Sequence, residues 1–228
     1  MFVYGWRCSK LNLKDKKIAF LGDSITEGAG VSKIEDVFWN RVAERTGALA
    51  YGYGVGGTRI APQHNPDTYA NFGQFFGSRV TGMIPDADVV VVFGGTNDFG
   101  HGDAPFGDVS SRDETTFCGA LHKLIRDLIE RYPQAQLVLL TPTHRLGENE
   151  LGYNEYGVRR EHRLEDYVNA IQTIAGYYGI PVLDLYRTSG MQPEVPILKE
   201  RYMPDGLHPN DAGHEKIADK LIGFLAIL

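Results

Sequence analysis

Apolar and polar positions follow two different periods along this chain, and the two periods predict strands that alternate with helices. Short apolar runs bounded by charged residues or glycine predict buried strands. They lie at Lys17–Leu21, Ala48–Tyr53, Asp86–Gly95, Ala135–Pro142 and Ile180–Leu185. The third run contains four consecutive valines and a phenylalanine, which is typical of a strand that is buried on both faces of a parallel sheet.

Longer segments between these runs have the period of a helix. From Thr115 to Pro133, apolar side chains recur at the i, i+3 and i+4 positions. The pattern also predicts helices over Val37–Gly47, Glu161–Gly179 and Asn210–Leu225. Gly47 is a helix stop, and Asn210 or the residue after it is expected to cap the last helix.

The alternation of strands and helices predicts a parallel sheet with helices on both faces. With 228 residues and no linker-like stretch, we expect a single domain that spans residues 1–228. Ligands bind at the carboxyl ends of the strands in such sheets. Functional residues are therefore expected in the loops that follow Leu21, Tyr53, Phe93, Thr141 and Leu185.

Composition and charge exclude several classes of partner. The net charge of −6 argues against nucleic acid, because phosphate binding requires clustered Lys and Arg. Cys8 and Cys118 lie far apart and outside any C-x-x-C pattern, so neither a disulfide framework nor a structural zinc site is expected. No apolar run is long enough to span a membrane. The first 17 residues lack a signal-peptide pattern, so we expect a cytoplasmic protein. A secreted protein from which the signal had been removed would show the same sequence.

The segment LGDSITEG places Ser24 just after the first predicted strand. A serine there can present its hydroxyl to a pocket at the carboxyl edge of the sheet, and its backbone N–H lies near the start of a helix, which favours an anion. Ser24 is therefore a candidate nucleophile. The alternative is that Ser24 or Thr26 only caps a short helix. A G-x-S-x-G elbow is absent, because Thr26 stands where its second glycine would be.

A nucleophilic serine needs a base and a group that orients the base. Asp205 and His208 lie three residues apart in the turn MPDGLHPN, just before the last predicted helix. This spacing lets a carboxylate reach one imidazole nitrogen while the other faces a serine. A D-x-x-H pair alone is a weak signal, since most of the seven histidines are expected to have other roles.

Acyl transfer also needs hydrogen-bond donors for the oxyanion. Asn97, in FGGTND, is a neutral donor directly after the valine strand. The glycines of YGYGVGGTR follow the second strand and let backbone N–H groups approach a ligand. Each segment could also be no more than a tight turn. GYGVGG matches G-x-G-x-x-G, but prolines follow it instead of a helix, which argues against a dinucleotide site.

These four segments, taken together and in order, resemble the motifs of the SGNH hydrolases, also called the GDSL esterase/lipase family. GDSITEG resembles its first block, GYGVGG the second, GTND the third and DGLH the last. The resemblance runs from Gly22 to His208. It implies a three-layer α/β/α sandwich with a five-stranded parallel sheet, flavodoxin-like in outline, and no metal or cofactor.

The resemblance implies a serine esterase that works through an acyl-enzyme. Ser24 would be the nucleophile, His208 the base and Asp205 the acid of the triad. The oxyanion hole would consist of the N–H of Ser24, the N–H of Gly57 and the side chain of Asn97, with Gly56 as the alternative to Gly57. The sequence departs from the family at Gly52, where an asparagine often precedes the glycines of the second block.

The substrate is expected to be a small-molecule ester. The segments 61–78, 100–113 and 144–163 are rich in polar and aromatic residues and lack the contiguous apolar stripe of a lipase lid. They favour short-chain esters, in particular acetyl esters, including those on carbohydrate. They could also be merely solvated loops, and Phe72, Phe75 and Phe76 could belong to the local core. Other hypotheses are a lysophospholipase or acyl thioesterase, a non-catalytic binding relative, and a flavin- or nucleotide-binding protein of similar topology.

Overall fold

A five-stranded parallel sheet forms the centre of the molecule in a computed structural model, which describes residues 12–65, 71, 73–153 and 157–228. The described strands are β1 (Lys17–Gly22), β2 (Leu49–Gly54), β3 (Val89–Phe93), β4 (Gln136–Leu140), β5 (Gly152–Tyr153), β6 (Arg159–Arg160) and β7 (Val182–Leu183). The order in the sheet is β2-β1-β3-β4-β7, and all neighbours run parallel. The five predicted strands are thereby confirmed. The pair β5-β6 forms a separate antiparallel ribbon that the sequence did not predict.

The described helices include all four that the periodicity predicts. They are α1 (Ser24–Glu27), α2 (Phe38–Thr46), α3 (Phe76–Arg79), α4 (Thr96–His101), α5 (Phe117–Arg131), α6 (Leu164–Tyr177), α7 (Leu185–Thr188), α8 (Pro196–Tyr202) and α9 (Asp211–Leu225). α2, α5, α6 and α9 are the predicted ones. The Asn210 side chain caps α9 by accepting the N–H of Gly213, and α2 ends at Gly47 with a left-handed backbone. The other helices have two turns or fewer, which is too short to show a period.

Two hydrophobic cores lie on opposite faces of the sheet. β3 serves both, because successive side chains of a strand point to opposite faces. Val90 and Val92 pack in the core that contains the inner faces of α5 and α6, with Phe76 of α3. Val89 and Val91 pack in the core of α2 and α9. The molecule is therefore a three-layer α/β/α sandwich, as predicted.

Glycines at the carboxyl edge of the sheet allow α1 to lie directly on the strands. A Cβ on Gly22 would overlap the Thr26 hydroxyl and lie 2.9 Å from the carbonyl oxygen of Phe93. A Cβ on Gly54 would overlap the backbone nitrogen of Glu27. Any side chain at these two positions would push α1, and with it Ser24, away from the sheet.

Arg79 ties the ends of β1 and β2 together beneath this edge. Its guanidinium donates to the carbonyl oxygens of Tyr53 at 2.6 Å and Gly22 at 3.0 Å, and to the Thr58 hydroxyl at 3.0 Å. Burial lowers the pKa of Arg79 to about 10, although the carboxylates of Asp23 and Glu27 act in the opposite direction. The group remains charged at neutral pH and holds the two loops that follow these strands.

The described part of the chain contains no helix that is long and apolar enough to cross a bilayer.

Cys118 is a free thiol buried in α5, and burial raises its pKa to about 12. Cys8, the other cysteine, and Phe72 lie outside the described residues. Phe76 belongs to a hydrophobic core, whereas Phe75 is half-buried.

Candidate active site

Ser24, His208 and Asp205 form a continuous hydrogen-bonded chain at the carboxyl edge of the sheet. The Oγ atom of Ser24 lies 3.0 Å from Nε2 of His208, and Nδ1 of His208 lies 2.7 Å from Oδ2 of Asp205. An ionised carboxylate can only accept hydrogen bonds, so Nδ1 carries the imidazole proton and Nε2 accepts the proton of the serine hydroxyl. A hydroxyl held in this way can lose its proton to the imidazole as it attacks a carbonyl.

Asp205 is held by its own turn. Its Oδ1 accepts the backbone N–H groups of Leu207 at 2.8 Å and His208 at 2.7 Å. Burial acts to raise the pKa of Asp205, but the hydrogen bonds from Leu207 and His208 outweigh it and keep the pKa below its usual value. The D-x-x-H spacing is thus explained by a turn in which one carboxylate fixes both the backbone and the imidazole of His208.

Asp23 positions the serine from the preceding residue. It is fully buried and caps α1, with Oδ1 accepting the N–H of Ile25 at 3.0 Å. Burial raises the pKa of Asp23 to about 6, and the Ile25 N–H and the nearby His208 reduce the rise. The cap of this helix is therefore Asp23, not Ser24 or Thr26, and the Ser24 side chain is left to face His208.

Asn97 lies in the first turn of α4, which follows β3 through Gly95 in a left-handed conformation. Its Nδ2 donates to the carbonyl oxygen of Thr58 at 3.0 Å. Its Oδ1 lies 3.2 Å from Nε2 of His101, one helical turn later. The amide is buried, and it lines the same pocket as Ser24.

His101 determines which way the Asn97 amide points. Arg59 Nη2 lies 2.7 Å from Nδ1 of His101, and a guanidinium can only donate, so Nδ1 is the acceptor. The proton of the neutral ring is then on Nε2, which donates to Oδ1 of Asn97. Burial lowers the pKa of His101 to about 3, with the Arg59 cation adding to this effect, so the ring is neutral at physiological pH. The sequence did not assign a role to His101, although the four-residue spacing from Asn97 on a helix was a usable signal.

Asp98, the last residue of GTND, joins α4 to the loop after β2. Its two carboxylate oxygens accept the backbone N–H groups of Ile60 and Ala61, each at 3.0 Å. Burial raises the pKa of Asp98 to about 6 in spite of these bonds and of the nearby Arg59 cation. Its side chain does not line the pocket beside Ser24 but holds the chain that follows the glycine loop, so its contacts are structural.

The glycine loop presents backbone N–H groups at the pocket. Gly56 and Gly57 both line it, and Gly57 has a φ of +72°, a left-handed backbone that favours glycine. Within the residues that the structure describes, the N–H groups of Ser24 and Gly57 donate to no protein acceptor. A Cβ on Gly56 would lie 2.7 Å from a carboxylate oxygen of Glu27. The geometry leaves both glycines available as donors, with Gly57 the more buried of the two.

Gly52, where the sequence departs from the family pattern, lies against an indole ring. A Cβ there would be 2.6 Å from Cζ2 of Trp39, and the Trp39 Nε1–H donates to the carbonyl oxygen of Thr26 at 2.9 Å. Trp39 fills the space that a side chain at position 52 would need. The indole also supports α1 through Thr26, two residues after Ser24.

The pocket beside Ser24 has a volume of about 380 Å³. His101 comes from the predicted wall segment 100–113, and Arg145 and Arg160 come from segment 144–163. No described residue of segment 61–78 lines it. The sequence does not predict a role for these two arginines, because a polar loop lacks the hydrophobic periodicity that would indicate which side chains face a pocket.

Comparison with known proteins shows the family to which the chain belongs. The GDSL-like lipase/acylhydrolase family matches residues 20–216. A GDSL lipase of Mycobacterium tuberculosis is 26% identical over 230 residues, which cover 97% of this chain and 87% of that protein. A crystal structure from Lactobacillus plantarum is 32% identical with a TM-score of 0.79, over 93% of this chain and 97% of that one. An acetyl xylan esterase is 25% identical with a TM-score of 0.60, over 91% of this chain and 98% of that one. The chain belongs to the GDSL-like lipase/acylhydrolase family, and it is a hydrolase.

Proposed function

We propose that the protein is a serine esterase that hydrolyses short-chain esters, acetyl esters above all, through an acyl-enzyme on Ser24. The observation that carries this proposal is the chain of hydrogen bonds from Ser24 through His208 to Asp205, beside the pocket lined by Gly57 and Asn97. It supplies a nucleophile, a base, a group that orients the base, and donors for an oxyanion.

In the first half of the reaction, the Ser24 Oγ attacks the ester carbonyl while His208 Nε2 takes its proton. Asp205 holds the imidazole in the productive tautomer and stabilises its positive charge. The negative charge on the former carbonyl oxygen is met by the N–H of Ser24, the N–H of Gly57 and the Nδ2–H of Asn97. His208 then gives its proton to the leaving alkoxide, and the alcohol departs from the acyl-enzyme.

In the second half, a water molecule attacks the acyl carbon as His208 takes one of its protons. The same donors meet the second oxyanion. The bond between the acyl carbon and Oγ breaks, His208 returns the proton to Ser24, and the carboxylic acid leaves. Apart from the ester and water, both halves of the proposed reaction use only side chains and backbone groups of this chain.

The lining of the pocket supports a short acyl chain. Among the described residues that line it, Ala29 and Leu207 are the apolar side chains apart from the methylene groups of polar residues. A long acyl chain would need a continuous apolar wall to offset the loss of its contacts in a lipid or micelle. The similarity to an acetyl xylan esterase supports acetyl groups, and carbohydrate as the alcohol that carries them.

The test is hydrolysis of p-nitrophenyl acetate, butyrate and octanoate by the wild type and by Ser24→Ala. We expect kcat/KM to fall from acetate to octanoate, and activity to vanish in the variant. A preference for octanoate would contradict the short-chain proposal and favour a lysophospholipase or thioesterase. Full activity in Ser24→Ala would contradict the mechanism.

A further inference from the structure

Two guanidinium groups, from Arg145 and Arg160, line the pocket that contains Ser24 and His208. They do so in a chain whose net charge is −6. Arg145 lies in the loop after β4, and Arg160 lies in β6 of the separate ribbon. The described part of the chain contributes no Asp or Glu side chain to the lining of this pocket. The described side chains that line the pocket therefore include two cations and no carboxylate, although the protein is acidic.

Both guanidinium groups are held against one aromatic ring. The Cζ atoms of Arg160 and Arg145 lie 5.0 Å and 5.5 Å from the centroid of Phe99, which is buried in α4. Arg145 also donates to the carbonyl oxygen of Thr96 at 3.1 Å. A Cβ on Gly100 would lie 2.6 Å from Nη1 of Arg145, so a side chain there would displace the guanidinium from this position. Two guanidinium groups that lie over one ring in this way are pre-organised to bind a carboxylate.

Arg160 has donor capacity that its surroundings do not use. Its side chain is 16% exposed, and its buried Nε has no acceptor among the described residues. Among the described residues, the carboxylate nearest to its guanidinium is that of Glu150, at 3.9 Å and on a side chain that is 76% exposed. At that distance and exposure the pair is a weak one. The neighbouring Arg159 does not line the pocket that contains Ser24, and its guanidinium pairs with Glu161 on side chains that are 64% and 63% exposed.

The arginine cations also act on a buried residue of the site, His101. Burial and then the cations of Arg59, Arg145 and Arg160 lower the pKa of His101, which contacts both Arg59 and Asn97. Three cations therefore act on one neutral imidazole at the base of the pocket. The same positive potential would stabilise an anion in the pocket.

We propose that the esters this enzyme prefers carry an anionic carboxylate, which the guanidinium of Arg160 binds with Arg145 beside it. This proposal rests on the proposed esterase function and specifies its substrate class. The carboxylate can belong to the alcohol, as in the acetyl ester of an acidic sugar or of an aromatic hydroxy acid, or to the acyl group, as in a monoester of a dicarboxylic acid. In both cases a planar carboxylate can accept two parallel N–H hydrogen bonds from the same guanidinium.

The experiment measures kcat/KM for two pairs of esters that differ in one charge. The first pair is 4-acetoxybenzoate and its neutral methyl ester, with the charge on the alcohol side. The second pair is the 4-nitrophenyl monoester of adipic acid and 4-nitrophenyl hexanoate, with the charge on the acyl side. The quantity compared is the anionic-to-neutral ratio in each enzyme form. Differences in intrinsic reactivity within a pair cancel when the ratios of two enzyme forms are compared.

The variants are Arg160→Met, Arg160→Lys and the matched control Arg159→Met. Arg160→Met and Arg159→Met change the net charge equally, but only position 160 lines the pocket. For at least one pair, we expect the ratio to fall about tenfold or more in Arg160→Met, to recover in part in Arg160→Lys, and to stay within about twofold in Arg159→Met. The ratio in the wild type should also fall as salt is added.

Equal ratios in the wild type and Arg160→Met for both pairs would overturn the proposal. If kcat/KM falls by the same factor for the anionic and neutral esters, this ratio is also unchanged, and Arg160 then positions the site and does not recognise charge. Absence of wild-type activity on all four esters would contradict the proposed function instead. In that case calorimetry with Ser24→Ala decides the binding claim. The proposal requires 4-acetoxybenzoate to bind more tightly than its methyl ester, and requires Arg160→Met to remove the difference.

Discussion

Gly30 lies directly against the segment that carries the imidazole of His208. A Cβ on Gly30 would overlap the carbonyl oxygen of Pro209 and lie 3.2 Å from the Cβ of His208. Gly30 also has a φ of +94°, a backbone conformation that residues other than glycine rarely adopt. The loop after α1 and the turn before α9 thus meet at a position where only glycine fits. This contact brings together two residues, Ser24 and His208, that are 184 positions apart in the chain.

Gly30→Ala is therefore expected to reduce kcat by roughly 10², because a shift of His208 by about an ångström breaks its alignment with Ser24. The strained backbone should also cost about 1–3 kcal/mol of the free energy of unfolding. Kinetics on p-nitrophenyl acetate and chemical denaturation measure the two effects. Gly176→Ala is the matched control, since it lies exposed in α6 with open space around a Cβ. It should keep full activity and gain about 0.5–1 kcal/mol of stability. Full activity in Gly30→Ala would mean that the contact does not position His208.

Asp205→Asn should lower kcat by roughly 10²–10⁴. An amide at this position can donate to Nδ1 of His208 and so favour the tautomer that no longer accepts the proton of Ser24. It also removes the charge that stabilises the imidazolium. The measurement is kcat on p-nitrophenyl acetate, with Glu200→Gln in the exposed part of α8 as a control for the same change of charge. A loss of less than tenfold would show that the backbone of the turn alone is enough to orient the imidazole.

Asn97→Ala should lower kcat by roughly 10²–10³ with a smaller effect on KM, because the amide is proposed to act on the transition state. An unchanged kcat would show that Asn97 does not contribute to the oxyanion hole. The amide also donates to the carbonyl oxygen of Thr58, so its loss could destabilise the fold. Thermal unfolding of the variant and the wild type should therefore be measured, and kcat compared at a temperature at which both are fully folded.

His101 is expected to act through Asn97. His101→Leu removes the hydrogen bond to the Asn97 Oδ1 and should lower kcat about tenfold or more in the wild-type background. In the Asn97→Ala background the same change should have little further effect, because the amide it orients is already absent. His101→Gln should restore part of the loss, since its side chain can accept from Arg59 and donate to Asn97. Additive losses in the double variant would show that His101 supports the site by another route.

His214 should make the protein less stable in acid. It is buried, accepts the N–H of Phe38 at Nδ1 and stacks on the Phe38 ring. Burial lowers its pKa in the folded state to about 4, whereas its value in an unfolded chain is about 6.5. Between these values the unfolded chain binds more protons, so this contribution to stability is complete above pH 6.5 and is lost as the pH falls toward 4. The full loss is ~3 kcal/mol.

The corresponding variant is His214→Gln, whose amide oxygen can still accept the N–H of Phe38. The free energy of unfolding should fall less between pH 7 and pH 4 in this variant than in the wild type. His64→Gln, at an exposed position, serves as the control and should follow the wild-type curve. Identical pH dependence in the wild type and His214→Gln would exclude His214 as a source of acid sensitivity.

The sequence predicts the sheet well because its signals are local and strong. Val89–Phe93 is buried throughout, and a run of four valines between charged residues and glycines has few other interpretations. The helix α4 was not predicted, since TNDFGH is six residues long and carries no apolar period. α8 was also missed, although Pro196 at its first turn was a usable signal of a helix start.

The site is predictable to the extent that its residues belong to short ordered motifs. Ser24, Asn97, Asp205 and His208 each stand in one, and the structure brings all four to one edge of the sheet. The supporting residues could not be found in this way. Arg59 becomes significant only when the fold buries it beside His101, and Arg160 only when the β5-β6 ribbon turns it toward Ser24. Such roles depend on contacts between distant segments, which a local pattern does not encode.

The most direct test of the central claim is covalent labelling with a fluorophosphonate, followed by intact mass measurement and peptide mapping. The proposed mechanism predicts one phosphonyl group per chain, located on Ser24, with loss of esterase activity in proportion to labelling. The label should be absent in Ser24→Ala and should form far more slowly in His208→Ala. A label on another residue, or an unlabelled Ser24 in a fully inactivated enzyme, would contradict the assignment of Ser24 as the nucleophile.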